Sequence, residues 1–193
     1  MTTATPTLAW QVTPRTRVTT AVAVVAVALL TAVAAQIRFP LPFTPVPITG
    51  QTFVVVLGGA VLGMRAGAAS QLLYLALGAV GLPVFTDASG GWQVFQGATG
   101  GYLVGFVFAA ALVGWLAEQR YDRRFTTAVW LFALGNLVIY AFGVPWLMVV
   151  TGWGLAEALA KGVLPFLVGD LLKIAAAAGL TPAAWRLLGR DDR

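Results

Sequence analysis

Residues 18–37 read VTTAVAVVAVALLTAVAAQI, a run of 20 residues without a charged side chain. A helix of about 20 apolar residues is long enough to cross the hydrocarbon core of a bilayer. Further apolar runs follow through most of the chain, so this type of segment decides the fold class. We predict an all-α integral membrane protein.

The composition of the whole chain agrees with this class. Apolar residues make up 59% of the 193 residues, charged residues make up only 10%, and 22 residues are glycine. Soluble domains carry about 25% charged residues, and disordered chains have low hydrophobicity. Both classes are therefore excluded, and the apolar content suffices for about five to seven spans.

The chain contains no cysteine and no histidine. Their absence from the sequence excludes disulfides, zinc or haem sites that need these ligands, and histidine-based acid–base catalysis. The sequence also lacks a Gly-x-x-x-x-Gly-Lys-Ser/Thr motif, so it has no phosphate loop for ATP. We expect no cofactor, and no energy source within this chain.

Prolines, glycines and charged turns divide the apolar sequence into six predicted helices. These cover residues 18–37, 51–64, 66–82, 100–117, 127–149 and 163–180. Proline interrupts or ends a helix, so we expect an interruption at Gly143 and Pro145 and an end at Pro182. Residues 151–161 are predicted as a short loop or a surface helix. The predicted regions are a mobile tail over 1–17, a six-helix membrane domain over 18–181 and a basic tail over 182–193.

The basic residues predict the orientation, because Lys and Arg favour cytoplasmic segments. With a cytoplasmic N-terminus, the outer segments hold only Arg38 and Lys161, and Lys173 lies within the sixth helix. The other nine of the twelve basic residues fall inside: Arg15, Arg17, Arg65, Arg120, Arg123, Arg124, Arg186, Arg190 and Arg193. Both termini are then cytoplasmic, and the Pro-rich loop and the Gly-Gly loop lie outside. The net charge of +5 is interpreted as a topology signal, with no nucleic-acid partner.

Two ionisable residues within the sixth helix form the first candidate site. Asp170 and Lys173 are three residues apart and therefore share a helical face. An ionisable residue within a span is costly and is by default a functional candidate. The alternative is a self-neutralising pair, or a lysine that extends to the interface.

The Gly-Gly loop forms the second candidate site. Ser89, Gly90 and Gly91 lie there, and glycine pairs allow a ligand close to the backbone. The aromatic residues Trp92 and Phe43 lie on predicted outer loops, where solvent does not favour them, and they suggest a pocket. The alternatives are a flexible turn and an interfacial aromatic belt.

Small residues recur at a spacing of four in the first two helices. Ala28 and Ala32 form such a pair, and small residues let membrane helices approach closely. The pair serves either packing within the bundle or docking of another membrane subunit.

Several motifs resemble the BioY family, the biotin-specific S components of energy-coupling factor (ECF) transporters. The first is IRFPLPFTPVPITGQ over residues 37–51. The others, in order over about residues 18–180, are GLPVF (81–85), SGG (89–91), TGGYLVGF (99–106), GNLVIY (135–140), GVPW (143–146) and GVLPFLVGDLLK (162–173). The chain departs from the family pattern at Ala98, at Leu103, where some members carry Arg, and at Ser89, where some carry Asn.

The resemblance implies a six-helix protein of the prokaryotic cytoplasmic membrane that captures biotin at its outer face. Its implied partners are a transmembrane T protein, which meets Ala28 and Ala32, and two ATPases, which alone hydrolyse ATP. The implied biotin contacts are Asp170, Lys173, Ser89, Gly90, Gly91, Tyr102, Trp92, Phe43 and Asn136. We expect Asp170 to accept from the ureido N–H groups, or to orient Lys173, and Lys173 to bind the carboxylate.

Two other functions remain open from the sequence. One is an S component for another vitamin, such as thiamine or riboflavin. The other is an intramembrane enzyme, which is disfavoured because the chain has no histidine, no cysteine and no paired acids for catalysis.

Overall fold

The computed structural model describes residues 6–189, which fold as a helical bundle. The helices in chain order are α1 (Leu8–Val12), α2 (Arg17–Gln36), α3 (Gln51–Leu62), α4 (Met64–Ala79), α5 (Gln93–Gln96), α6 (Gly100–Glu118), α7 (Phe125–Thr151), α8 (Leu155–Gly162) and α9 (Leu167–Leu187). Short 3-10 turns cover Thr86–Ala88 and Leu164–Phe166. Two short antiparallel strands, β1 (Arg38–Phe39) and β2 (Ile48–Thr49), pair Arg38 with Thr49 and Phe39 with Ile48.

Within residues 6–189, four segments are long and apolar enough to cross a membrane. They are Arg17–Gln36, Gly100–Glu118, Phe125–Thr151 and a span within Leu155–Leu187. Helices α3 and α4 have 12 and 16 residues and are shorter. The prediction of an all-helical membrane protein is confirmed, whereas the count of six spans stays a prediction.

One end of the bundle gathers arginines and is called the basic end. There the backbone N–H of Met64, after α3, donates to Oε1 of Glu118 at the end of α6 (3.1 Å). The indole of Trp185 in α9 donates to Oδ2 of Asp122 in the α6–α7 loop (2.7 Å). The helix ends that carry Arg65, Arg120 and Arg186 therefore lie together.

The opposite end, called the loop end, carries the Pro-rich and Gly-Gly loops. The N–H of Gly50, which precedes α3, donates to the carbonyl of Ala34 near the end of α2 (3.2 Å). The indole of Trp146 in α7 donates to the carbonyl of Gly97, before α6 (2.9 Å). Residues 38–50, the Pro-rich loop, form a partly buried hairpin here, in which β1 and β2 pair and the chain turns back between Leu41 and Thr44.

Small residues bring the helices at the centre of the bundle into close contact. A Cβ on Gly59 of α3 would lie 2.6 Å from the carbonyl oxygen of Ala110 in α6. Gly63 alone connects α3 to α4 at a φ of 83°, a conformation that glycine adopts without strain. The predicted boundary between the helices over 51–64 and 66–82 is therefore wrong by two residues, because α3 ends at Leu62 and α4 already begins at Met64.

The predicted mobile tail over residues 1–17 is wrong where the structure describes it. Helix α1 packs on the end of α3, whose last carbonyls have no partner within their own helix. The hydroxyl of Thr7 donates to the carbonyl of Val61 (2.8 Å). The indole of Trp10 donates to the carbonyl of Leu62 (2.9 Å). Residues 1–5 lie outside the described part of the chain.

Two predicted helix breaks are also wrong. Helix α7 continues through Gly143 and Pro145, and α9 continues through Pro182 to Leu187. Neighbouring helices can hold a proline-containing membrane helix together. Here the buried Trp185 fixes the last turn of α9 through Asp122. Residues 151–161 include the surface helix α8, in agreement with one of the two predicted alternatives.

The structure contradicts docking of a partner through Ala28. Its side chain is 1% exposed and belongs to the hydrophobic core, with Tyr74 and Ala110. Ala32 is partly buried against the same core. Packing within the bundle is therefore the role of Ala28, while docking through Ala32 stays a prediction.

Candidate substrate-binding site

A cavity of about 210 Å³ opens at the loop end, between the Pro-rich loop, the turn Thr86–Ala88 and helices α3, α6, α7 and α9. Its wall combines apolar and aromatic side chains with a few polar ones, which is the usual composition of a small-molecule site. The residues that line it include Val46, Ile48, Thr49, Gln51, Thr52, Phe85, Thr86, Asp87, Ser89, Tyr102, Leu103, Phe106, Asn136, Ile139, Tyr140, Phe166, Asp170 and Lys173.

Asp170 is the buried centre of the polar wall. It lies in the first turn of α9, where the helix dipole favours a carboxylate. The hydroxyl of Tyr140 in α7 donates to its Oδ2. Lys173 donates to its Oδ1 (3.3 Å) and to the hydroxyl of Thr52 in α3 (2.9 Å). Three helices therefore hold one carboxylate and one ammonium group side by side.

Asn136 and Tyr102 lie on the α6–α7 side of the cavity. The amide nitrogen of Asn136 donates to the carbonyl of Phe132 (3.1 Å), and its oxygen accepts no hydrogen bond from any described residue. The hydroxyl of Tyr102 donates to the carbonyl of Gly162 (3.0 Å). Its ring meets that of Tyr140 edge to face, with centroids 6.4 Å apart. These residues offer a free acceptor and an aromatic wall.

The turn Thr86–Ala88 forms the rim of the cavity. Gln36 at the end of α2 holds this turn, donating to the carbonyl of Phe85 (3.0 Å) and accepting from the N–H of Ala88 (3.1 Å). Ser89 lines the cavity, but its hydroxyl donates to the carbonyl of Thr86 (2.7 Å). Ser89 is thus placed to accept a hydrogen bond from a ligand rather than to donate one.

Four of the residues predicted for the site do not line the cavity. Trp92 is 65% exposed and Phe43 is 54% exposed, because both project from the loops. The N–H of Gly91 already donates to the carbonyl of Gly78 (2.7 Å), and Gly90 packs closely on the carbonyl of Leu82. The interpretation of this glycine pair as ligand-binding amides is therefore not supported. Asp170, Lys173, Ser89, Tyr102 and Asn136 do come together.

Sequence reasoning missed Tyr140, Thr52 and Gln51 as members of the site. Tyr140 stands four residues after Asn136, and this spacing places both on one face of α7. That periodicity is the signal that could have found it. Thr52 and Gln51 begin α3 directly after the Pro-rich loop, without a distinguishing pattern of their own.

The site brings together a carboxylate, an ammonium group, a free amide oxygen and aromatic walls. Such a set binds a small molecule that carries N–H donors next to an acceptor. The helical fold and this pocket define a membrane-embedded protein that binds a small ligand.

Comparison with known proteins identifies the family. The BioY family matches residues 5–190. The biotin transporter BioY of Rhizobium etli is 40% identical over 145 residues, which cover 72% of this chain and 77% of the relative. The biotin transporter BioY of Thermotoga maritima is 41% identical over 138 residues, which cover 72% and 80%. The chain belongs to the BioY family, as the sequence motifs predict.

A solved structure supports the same assignment. The crystal structure of the S-component for biotin from an ECF-type ABC transporter matches with a TM-score of 0.81. The match covers 90% of this chain and 94% of that protein at 25% sequence identity. The bundle described above therefore has the fold of an S component.

Proposed function

We propose that this protein captures biotin at the outer face of the prokaryotic cytoplasmic membrane and serves its uptake as the S component of an ECF transporter. Its family, its relatives named as biotin transporters and its fold support this function. A family of transporters leaves no support for an intramembrane enzyme.

The pair Asp170–Lys173 is the observation that carries the choice of ligand. The ureido ring of biotin has two N–H donors and one carbonyl acceptor. Asp170 and the free oxygen of Asn136 are suited to accept from the N–H groups, and Lys173 with Thr52 is suited to donate to the carbonyl. The rings of Tyr102 and Tyr140 offer an aromatic wall for the thioether ring.

The distance within this pair changes the role expected for Lys173. About eight bonds separate the ureido carbon of biotin from its carboxylate carbon, and they span roughly 9 Å when extended. The Lys173 Nζ and Asp170 Oδ1 atoms are only 3.3 Å apart. An extended biotin whose ureido ring contacts Asp170 therefore leaves its carboxylate out of reach of Lys173. We assign Lys173 to the ureido carbonyl.

The energy for uptake is proposed to come from partner subunits, a transmembrane T protein and two ATPases. The sequence itself has no phosphate loop, and the matched structure is the S component of an ECF-type ABC transporter. ATP is then hydrolysed by the partners alone, and biotin is a transported ligand rather than a cofactor.

The proposed topology has six spans, formed by α2, α3, α4, α6, α7 and α9, with both termini in the cytoplasm. The gathering of arginines at the basic end supports it, because positive residues favour the cytoplasmic side. The loop end with the cavity then faces outward.

Calorimetry on the purified, detergent-solubilised protein tests the function. We expect saturable binding of biotin with one site per chain. Thiamine and riboflavin, which represent S components for other vitamins, should neither bind nor compete. Mass spectrometry of co-purifying small molecules gives an independent answer, and the presence of another vitamin in place of biotin would refute the proposal.

A further inference from the structure

A second pair of opposite charges lies at the rim of the cavity. Arg38 in β1 forms an ion pair through its Nη2 with Oδ1 of Asp87 in the turn Thr86–Ala88. The side chains are 37% and 53% exposed, against 21% for Lys173 and 7% for Asp170. One charge pair is therefore deep in the cavity and the other is near its opening.

Arg38 is connected to the cavity wall on two sides. Its ion-pair partner, Asp87, lines the cavity. Its cross-strand partner, Thr49 in β2, lines it as well. Residues directly opposite in an antiparallel pair present their side chains to the same face. Arg38 itself does not line the cavity, and it lies next to the rim, in contact with these two residues that do.

Arg38 also has unused binding capacity. A guanidinium group has five N–H donors in a planar fork that matches carboxylates. Within residues 6–189, Asp87 is its charged partner, and no hydrogen bond occupies its remaining donors. Lys161 is another cation of the loop end. It is paired with Glu157 (2.8 Å) and lies over the ring of Trp153. Neither Glu157 nor Trp153 lines the cavity.

We propose that Arg38 binds the carboxylate of the ligand, and that this carboxylate replaces Asp87 as the partner of the guanidinium group. This inference rests on the proposed function, since it takes biotin as the ligand with its ureido ring at Asp170. The carboxylate arm then points from the deep pair toward the rim. Asp87 holds the guanidinium in place and competes with the ligand's carboxylate for it.

The proposal predicts opposite effects for the two members of the pair. Arg38→Gln should weaken the binding of biotin about tenfold, because a hydrogen bond to a charged group is lost. Asp87→Asn should strengthen it, because a competing negative charge is removed. Arg38→Gln should not alter the binding of biotin amide, which lacks the anionic carboxylate.

Calorimetry with biotin and biotin amide on the wild type, Arg38→Gln, Asp87→Asn and Lys173→Met tests these effects. Unchanged binding of the amide by Arg38→Gln shows that the pocket is intact. Lys173→Met, as a control in the deep pair, should lose affinity for both ligands equally. Raising the salt concentration should reduce the preference of the wild type for biotin over the amide, because this rim charge is half-exposed.

Two results would overturn the inference. If Arg38→Gln and Asp87→Asn both lost affinity for biotin and amide alike, the pair would only fasten the turn over the cavity. If the wild type bound biotin and its amide equally, the carboxylate would have no cationic partner. In both cases biotin binding by the wild type would leave the proposed function intact, whereas failure to bind biotin at all would refute that function.

Discussion

The hydroxyl of Tyr140 in α7 donates a hydrogen bond to Oδ2 of Asp170 in α9, while Lys173 binds the other carboxylate oxygen. A hydrogen bond to a charged group contributes about 1.5–3 kcal/mol. We therefore expect Tyr140→Phe, which keeps the ring, to weaken biotin binding about tenfold or more. Calorimetry measures this, with Tyr121→Phe as a control, since Tyr121 is exposed in the α6–α7 loop. Equal affinity of Tyr140→Phe and wild type would show that this hydrogen bond does not contribute to biotin binding.

Asp170→Asn should weaken biotin binding more than Ser89→Ala. Truncating a buried charged partner costs about 2–5 kcal/mol, because its mate is left unpaired, so the loss should be about 30-fold or more. The Ser89 hydroxyl is neutral, and its hydrogen bond contributes only about 0.5–1.5 kcal/mol. Titrations of both variants with biotin compare the two losses of affinity. A larger loss for Ser89→Ala would contradict the central role of Asp170.

Gly143→Ala should reduce both biotin affinity and stability. A Cβ at this position would lie 2.4 Å from the Tyr102 ring, so the ring must leave its place in the cavity wall. Overpacking of this kind costs about 1–3 kcal/mol. Gly179→Ala is the matched control, because nothing lies within 4 Å of its Cβ. Thermal unfolding and calorimetry of both variants should separate them, with Gly179→Ala as stable as wild type or more so.

Asp122, at the basic end and outside the spans, should make stability depend on pH. Burial raises the pKa of its carboxyl to about 6, although the hydrogen bond from Trp185 and the charge of Arg123 lower it. The folded protein thus holds this proton more tightly than the unfolded chain. The bound proton's contribution to the stability of the folded protein is full below about pH 4, and it is lost as the pH rises to about 6.

Asp122→Asn keeps an acceptor for Trp185 and removes the buried charge. We expect its advantage over wild type to grow between about pH 4 and pH 6, to about 3 kcal/mol at most. Thermal unfolding of both proteins across this range measures the difference. A constant difference at all pH values would show that Asp122 does not titrate there.

Single cysteines in this cysteine-free chain report the topology. Gly154, at the loop end, has nothing within 4 Å of its Cβ, and Gln119 is exposed at the basic end. A membrane-impermeant thiol reagent should label Gly154→Cys in intact cells and Gln119→Cys only after the membrane is opened. The reverse pattern would invert the proposed orientation.

The sequence by itself determined the membrane class, the approximate positions of the six long helices, the family and the contact between Asp170 and Lys173. The family follows from the resemblance of its motifs, and the others follow from composition or from spacing along one element. Residues three apart on a helix share a face whatever the helix packs against. The arginines also predict the orientation from the sequence alone, because this rule needs only their positions next to the spans and not the packing of the helices.

Only the tertiary structure decided which faces meet. It buries Ala28 in the core. It also brings Tyr140 of α7 to Asp170 of α9, and Arg38 of β1 to Asp87 of the turn Thr86–Ala88. It also leaves Trp92 and Phe43 exposed, outside the cavity. The physical reason is that in a chain this apolar, almost every helix face is hydrophobic, and lipid and protein interior accept the same side chains. Periodicity therefore cannot distinguish a buried face from one exposed to lipid, and close packing of small residues makes that choice.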